Sequence, residues 1–296
     1  MAVTYRVTHR TAYRYEADVG PSYSQLRVLP RDLAHQRCVS TRVTIDPEPA
    51  DYREWTDFFG NRVAYFAIEA PHRALTVTAV SLIEVDSHGD NLPLYRQEPW
   101  ETVRDALAEH RDGPATEAAA FVLDSPLVGV SDRFADYAGP SFSTGRQLVD
   151  AVADLASRIH HDFTFKPGST KVTTTLEEVF EQREGVCQDF AHLAIACLRS
   201  LGLAARYVSG YLETDPPPGR PKLVGRDVSH AWAGVWVPEA GWVGIDPTND
   251  RFVGSRYVTT AWGRDYTDVP PLNGVIFTNG GTASLDVEVD VVALSG

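Results

Sequence analysis

The stretch Gly185-Val186-Cys187-Gln188-Asp189-Phe190-Ala191-His192-Leu193-Ala194-Ile195-Ala196-Cys197-Leu198-Arg199-Ser200-Leu201-Gly202 organises the rest of the chain. Its apolar positions, Phe190, Ala194, Cys197 and Leu201, recur at helical spacing, and Gly202 is a helix terminator. The pattern predicts a helix from about Cys187 to Ser200 with Cys187 in its first turn. Unpaired N–H groups and the positive end of the helix dipole favour an anion there, so the position suits a thiolate nucleophile. Cys197 falls on the apolar stripe and reads as an inert core thiol, and Cys38 lies in a β-rich run with no evident partner. Asp189, also in the first turn, reads as a cap.

A metal site fails on geometry. Cys187, His192 and Cys197 are spaced five apart, and each such step turns a helix by about 140° net, so the three side chains diverge. His160-His161, at a predicted helix end, suits the dipole better than a metal.

Downstream of the helix the chain turns to strands: 205–209, 229–237 and 242–246, then 275–278 and 285–292. His230 begins the second of these, and Asp246 closes the third, just before Pro247. A carboxylate beside that histidine would fix its tautomer. Whether the two can meet depends on hairpin register. With Val237 opposite Trp242, Asp246 would face away from His230. With Trp236 opposite Trp242, Asp246 lies across from Trp232 on the His230 face, so an odd-length loop between Val237 and Gly241 is expected. Trp232 and Trp236 share the His230 face by parity and are candidates for either a groove wall or core packing. Arg206 reads as an ion-pair partner. The Pro216-Pro217-Pro218 loop, within 213–228, is expected to border the site because it leads into His230.

Upstream of the nucleophile helix, Thr175 and Glu178 form a capping box opening a helix expected to end at Gly185, and Thr144 with Gln147 forms another. Helices are expected after Pro99, Pro114 and Ser131. Residues 1 to about 88 alternate at period two between turn residues such as Gly20-Pro21 and Gly60-Asn61, which predicts a sandwich-like antiparallel unit without clustered chemistry. The organisation expected is a β-rich domain over 1–90, a helical connector over 91–142 and a catalytic core over 143–296, an α+β fold overall.

Composition limits the function. The 296 residues are 43% hydrophobic and carry a net charge of −13, which disfavours general binding to nucleic acid or to an anionic membrane surface. Three cysteines make a disulfide framework unexpected. The opening residues have no signal-peptide pattern, and a cytoplasmic location is expected.

The blocks around Cys187, the run Leu198 to Tyr211, His230-Ala231-Trp232 and Gly241-Trp242-Val243-Gly244-Ile245-Asp246-Pro247-Thr248 resemble the core of the transglutaminase-like superfamily over about 143–262. The β-rich start resembles the N-terminal region of its bacterial members. The resemblance implies a papain-like core in which Cys187 is the nucleophile, His230 the base and acid, and Asp246 the orienting group. It also implies acyl-enzyme chemistry on an amide of a peptide or protein substrate, with no cofactor. Gln188 stands where animal transglutaminases carry Trp, the Arg-Gly-Gly-x-Cys motif of arylamine N-acetyltransferases is met only in part by Arg183 to Cys187, and no papain-type cathepsin signature surrounds Cys187. The expected activity is a cysteine peptidase or amide hydrolase. Its alternatives are an acyltransferase using an amine or a thioester donor and a non-catalytic peptide-binding module. The Cys187 backbone N–H is the expected oxyanion donor, with Gln188 a candidate side-chain donor.

Overall fold

The computed structural model describes residues 2–86, 98–109, 113–214, 229–278 and 280–294. The first sheet is wound on one long strand, β1 (Ala2–Leu26), with β2 (Gln36–Asp46), β3 (Asp51–Thr56), β4 (Arg62–Ile68) and β5 (His72–Asp86). Its order is β2-β5-β1-β4-β3, all antiparallel. Gly20-Pro21, read above as a turn, lies inside β1, where the register with β5 shifts between Arg14 and Val19. The irregularity bends the strand, so β5 and β4 pair with its two halves in turn. The sheet curls until Phe66 and Ile68 of β4 share a core with Leu75 and Val77 of β5, which gives the sandwich-like unit.

The helices follow: α1 (Trp100–Ala108), α2 (Pro114–Ala119), α3 (Asp132–Ala138), α4 (Leu148–Asp162), α5 (Leu176–Gln182) and α6 (Cys187–Ser200). The Thr175–Glu178 capping box is present in both directions. Two helix boundaries differ from expectation. Thr144 caps nothing: Ser143 to Arg146 close a turn, with Gly145 at φ 74°, and α4 starts at Leu148, whose N–H bonds the Glu98 carbonyl. Helix α5 stops before Gly185 because Arg183 turns left-handed. The chain then forms β7 (Glu184–Gly185), parallel to β6 (Thr164–Phe165).

Helix α6 matches its expected span but has no wet face: every residue from Asp189 to Arg199 is buried. It packs on the second sheet, made of β8 (Ala205–Leu212), β9 (Ser229–Val237), β10 (Gly241–Asp246), β11 (Arg251–Phe252) and β12 (Tyr257–Gly263), in the order β11-β10-β9-β8-β12.

The span expected to be one catalytic unit, 143–296, divides. Strands β13 (Leu272–Thr278) and β14 (Ala283–Leu294) leave the second sheet and pair with β1. Their partner is remote in sequence, which is why periodicity alone placed them with their neighbours. Tyr5 and Val7 of β1, Ile83 of β5 and Val289 and Val291 of β14 then share a core with Tyr211 of β8 and Val258 of β12. The two sheets are joined by apolar packing.

Candidate active site

Cys187 is the first residue of α6 and is partly exposed. Asp189 acts as the expected cap: its Oδ2 accepts from the Val186 N–H at 2.8 Å and from Thr170 Oγ1 at 2.7 Å. Burial holds its carboxyl above the usual range, against those two hydrogen bonds. The approach is possible because residue 185 is glycine; a Cβ there would lie 2.9 Å from the Asp189 Cβ.

The hairpin has the required register. Trp242 pairs with Trp236 and Gly241 with Val237, leaving the three-residue loop Pro238-Glu239-Ala240. Glu239 and Gly241 both take positive φ to close it. Asp246 therefore lies on the His230 face, and His230 Nε2 is 2.7 Å from Asp246 Oδ2. Nδ1 is left as the ring nitrogen available to Cys187. Burial pulls the His230 pKa down, but hydrogen bonds to Asp246 and Cys187, and the negative charge of both, push it up to about 10. The arrangement favours the protonated, imidazolium form of His230.

Asp246 is fully buried and saturated with donors. Besides His230, Oδ2 accepts from Tyr257 Oη at 2.8 Å and Asn249 Nδ2 at 2.7 Å, and Oδ1 accepts the Thr248 N–H at 2.9 Å. Burial would raise its pKa, and these bonds with His230 keep it below the ordinary value. Tyr257 was not found in the sequence. Its only local sign is an aromatic at the head of a strand, and the contact depends on β12 lying on the far side of β8.

The cleft, about 370 Å³, is lined by Cys187, Gln188 and His230 and also by residues of the first sheet. His9, Thr11 and Tyr13 of β1 and Leu285 and Val287 of β14 form its opposite wall. The β-rich unit thus does carry part of the site, against expectation. His9 is buried, bonded to Tyr211 Oη at 2.9 Å and Thr11 Oγ1 at 3.1 Å, and burial lowers its pKa to about 4. It faces the cleft as a neutral group.

Of the two alternatives for Trp232 and Trp236, core packing, favoured for at least one of them, holds for both, and neither lies on the cleft; Trp232 packs on Tyr257. Arg206 has no acidic partner among the described residues and instead lies between the rings of Trp242 and Trp262. The Pro216-Pro217-Pro218 loop lies outside the described residues.

Residues 5–84 match the model of the bacterial transglutaminase-like N-terminal region, and residues 136–247 match that of the transglutaminase-like superfamily. The chain is a bacterial transglutaminase-like protein. An uncharacterised protein of Mycobacterium tuberculosis is 49% identical to it over 99% of this chain and 93% of its own length. A protein-glutamine gamma-glutamyltransferase of Pseudomonas aeruginosa is 37% identical over 33% of this chain and 15% of that protein. A crystal structure of a Cytophaga hutchinsonii protein, provisionally described as a cysteine protease, superposes with a TM-score of 0.76 at 20% identity, covering 100% of this chain and 92% of that one. That likeness establishes the papain-like fold. Together these relationships support a cysteine-dependent enzyme. Among the described residues, no helix of this transglutaminase-like protein is long and apolar enough to cross a membrane.

Proposed function

We propose that the protein is a cysteine-dependent amide hydrolase acting on peptides through Cys187, His230 and Asp246. The observation that carries the reading is the 2.7 Å contact of His230 Nε2 with Asp246, made beside Cys187 in one cleft. His230 Nδ1 takes the thiol proton and the thiolate attacks the carbonyl carbon. The oxyanion meets the Cys187 backbone N–H at the start of α6. His230 returns the proton to the leaving amine, and water then resolves the thioester and restores the thiol.

Acyl transfer to an amine is the second reading, and the Pseudomonas relative favours it. One experiment separates the two. The protein and its Cys187→Ala variant are incubated with casein and dansylcadaverine. Hydrolysis predicts Cys187-dependent new amino termini without dansyl incorporation. Dansylated, uncleaved casein would establish transfer instead, and neither product would leave the hydrolase reading without support.

A further inference from the structure

Behind the cleft, on the opposite face of β8, lies a second cavity of about 1050 Å³. Tyr207 lines the cleft with Cys187, and its chain neighbour Arg206 points the other way into this cavity. The two linings share no residue.

Arg206 is only 8% exposed. Its guanidinium carbon sits 4.2 Å from the Trp242 ring centroid and 3.6 Å from that of Trp262, so the plane is clamped between two aromatics. Its partner across the β8–β9 pair is Gly234, where a Cβ would lie 3.3 Å from Nε. That Nε is buried without a hydrogen bond, and no hydrogen bond or ion pair engages the guanidinium among the described residues. The neighbouring cations are placed otherwise. Arg264 is paired with Asp268 at 2.9 Å, and Arg31, 3.4 Å from the Trp262 centroid, bonds Phe59 and Asn61 and feels the charge of Asp57. Glu117, an acid on the lining, is exposed and makes no ion pair with Arg206. A buried, unpaired cation is costly and is normally completed by an anion. Burial and the charge of Arg31 both weaken its hold on the proton, and an arriving anion would relieve both.

The rest of the cavity is aromatic. Phe59, Phe121 and Trp242 pack in sequence, and Phe58 beside them is 92% exposed. The turn that carries Phe58 is braced: Asp57 Oδ1 accepts from the N–H groups of Phe59 and Asn61, and the Asn61 side chain bonds both backbone groups of Trp262. A bare aromatic on a fixed turn, next to a cavity, is a contact waiting for an apolar ligand.

We propose that this cavity is a second binding site, separate from the catalytic cleft, for a carboxylate carried on an aromatic or apolar body. A single planar guanidinium matches the planar, singly charged carboxylate fork, and the other cation on the lining, Arg264, is already paired with Asp268. Arg206 holds the carboxylate, and Phe58, Phe59 and Phe121 cover the body.

The test uses the full chain, 3-phenylpropionate and its uncharged amide, with tryptophan fluorescence as the readout, since Trp242 and Trp262 flank the binding group. The carboxylate is expected to bind at least about tenfold tighter than the amide, the worth of a charge-assisted hydrogen bond. Arg206→Met removes that preference. Phe58→Ala, a surface change that leaves the fold intact, weakens binding several-fold. The rate at which iodoacetamide alkylates Cys187 stays unchanged with the probe bound. No saturable response up to about 10 mM, far into the weak range of small-ligand affinity, overturns the proposal. So do equal binding of the amide, unaltered binding to Phe58→Ala, and protection of Cys187.

Discussion

His230 and Asp246 are sixteen residues apart in the chain, and their Nε2 and Oδ2 atoms are 2.7 Å apart in the fold. The contact exists because a three-residue loop, not a two- or four-residue one, joins β9 to β10. Shifting the register by one residue would send the carboxylate to the other side of the sheet.

Asp246→Asn should keep the shape of the site and lose its charge. The imidazolium is then unsupported, and amide hydrolysis is expected to fall about 10²- to 10⁴-fold. Alkylation of Cys187 by iodoacetamide near neutral pH should slow in parallel. Cys197, buried so that its thiol is pushed up, stays unlabelled. An alkylation rate equal to that of the parent protein would detach Asp246 from the pair.

The charge on His230 has a consequence for stability. Its pKa is about 10 in the folded chain against an ordinary 6.5. A pKa raised by folding contributes stability that is complete below about pH 6.5 and is lost as pH rises through about 10. The melting temperature of the protein should therefore converge toward that of His230→Ala between neutral and about pH 10. A gap that widens with pH would contradict the raised value.

Tyr257→Phe removes one of the donors on Asp246 Oδ2 and leaves His230 and Asn249 in place. A hydrogen bond to a charged group is worth about 1.5 kcal/mol or more, so the rate should drop roughly tenfold. The alkaline limb of the pH–rate profile should shift because the His230 partner has changed. A loss of rate with no shift in the profile would mark Tyr257 as packing alone.

Gly210 pairs with His230 across the strands, and it has no room to grow. A Cβ there would lie 2.0 Å from the Val258 carbonyl and 2.6 Å from the Trp232 ring. Gly210→Ala should destabilise by about 3 kcal/mol or more, the upper range of overpacking. Urea unfolding gives the value directly, and an unchanged midpoint would refute the close approach.

The wall supplied by the first sheet can be tested without disturbing the nucleophile. Leu285 and Val287 are 55% and 45% exposed, and both line the cleft. Val287→Lys should raise KM for peptides and leave Cys187 alkylation intact. Equal KM values would remove β14 from substrate contact.

What the sequence revealed was local. Cys187 at a helix start, the Thr175 capping box and the odd hairpin loop each follow from a few adjacent residues and the turn chemistry between them. The Thr144 box misled because Gly145 and the tie from Leu148 to Glu98 override a four-residue motif. The role of β1 in the cleft was not legible: His9, Thr11 and Tyr13 alternate as any strand does, and their face reaches Cys187 through the packing of the first sheet on β8 and β12. Arg206 looked like an ordinary strand-start charge because both rings that clamp it, Trp242 and Trp262, arrive from other strands.

The pairing of β1 with β14 joins Thr4 to Leu294 and Tyr15 to Ala283. On a ribosome the β14 segment emerges long after β1. When Asp246 has left the exit tunnel, Cys187, His230 and Asp246 are all outside it, yet Leu285 and Val287 have not emerged. The far wall of the cleft is then incomplete, and an edge of β1 stands without its neighbour. The strand order thus acts as a timer, withholding a finished cleft until β14 has emerged.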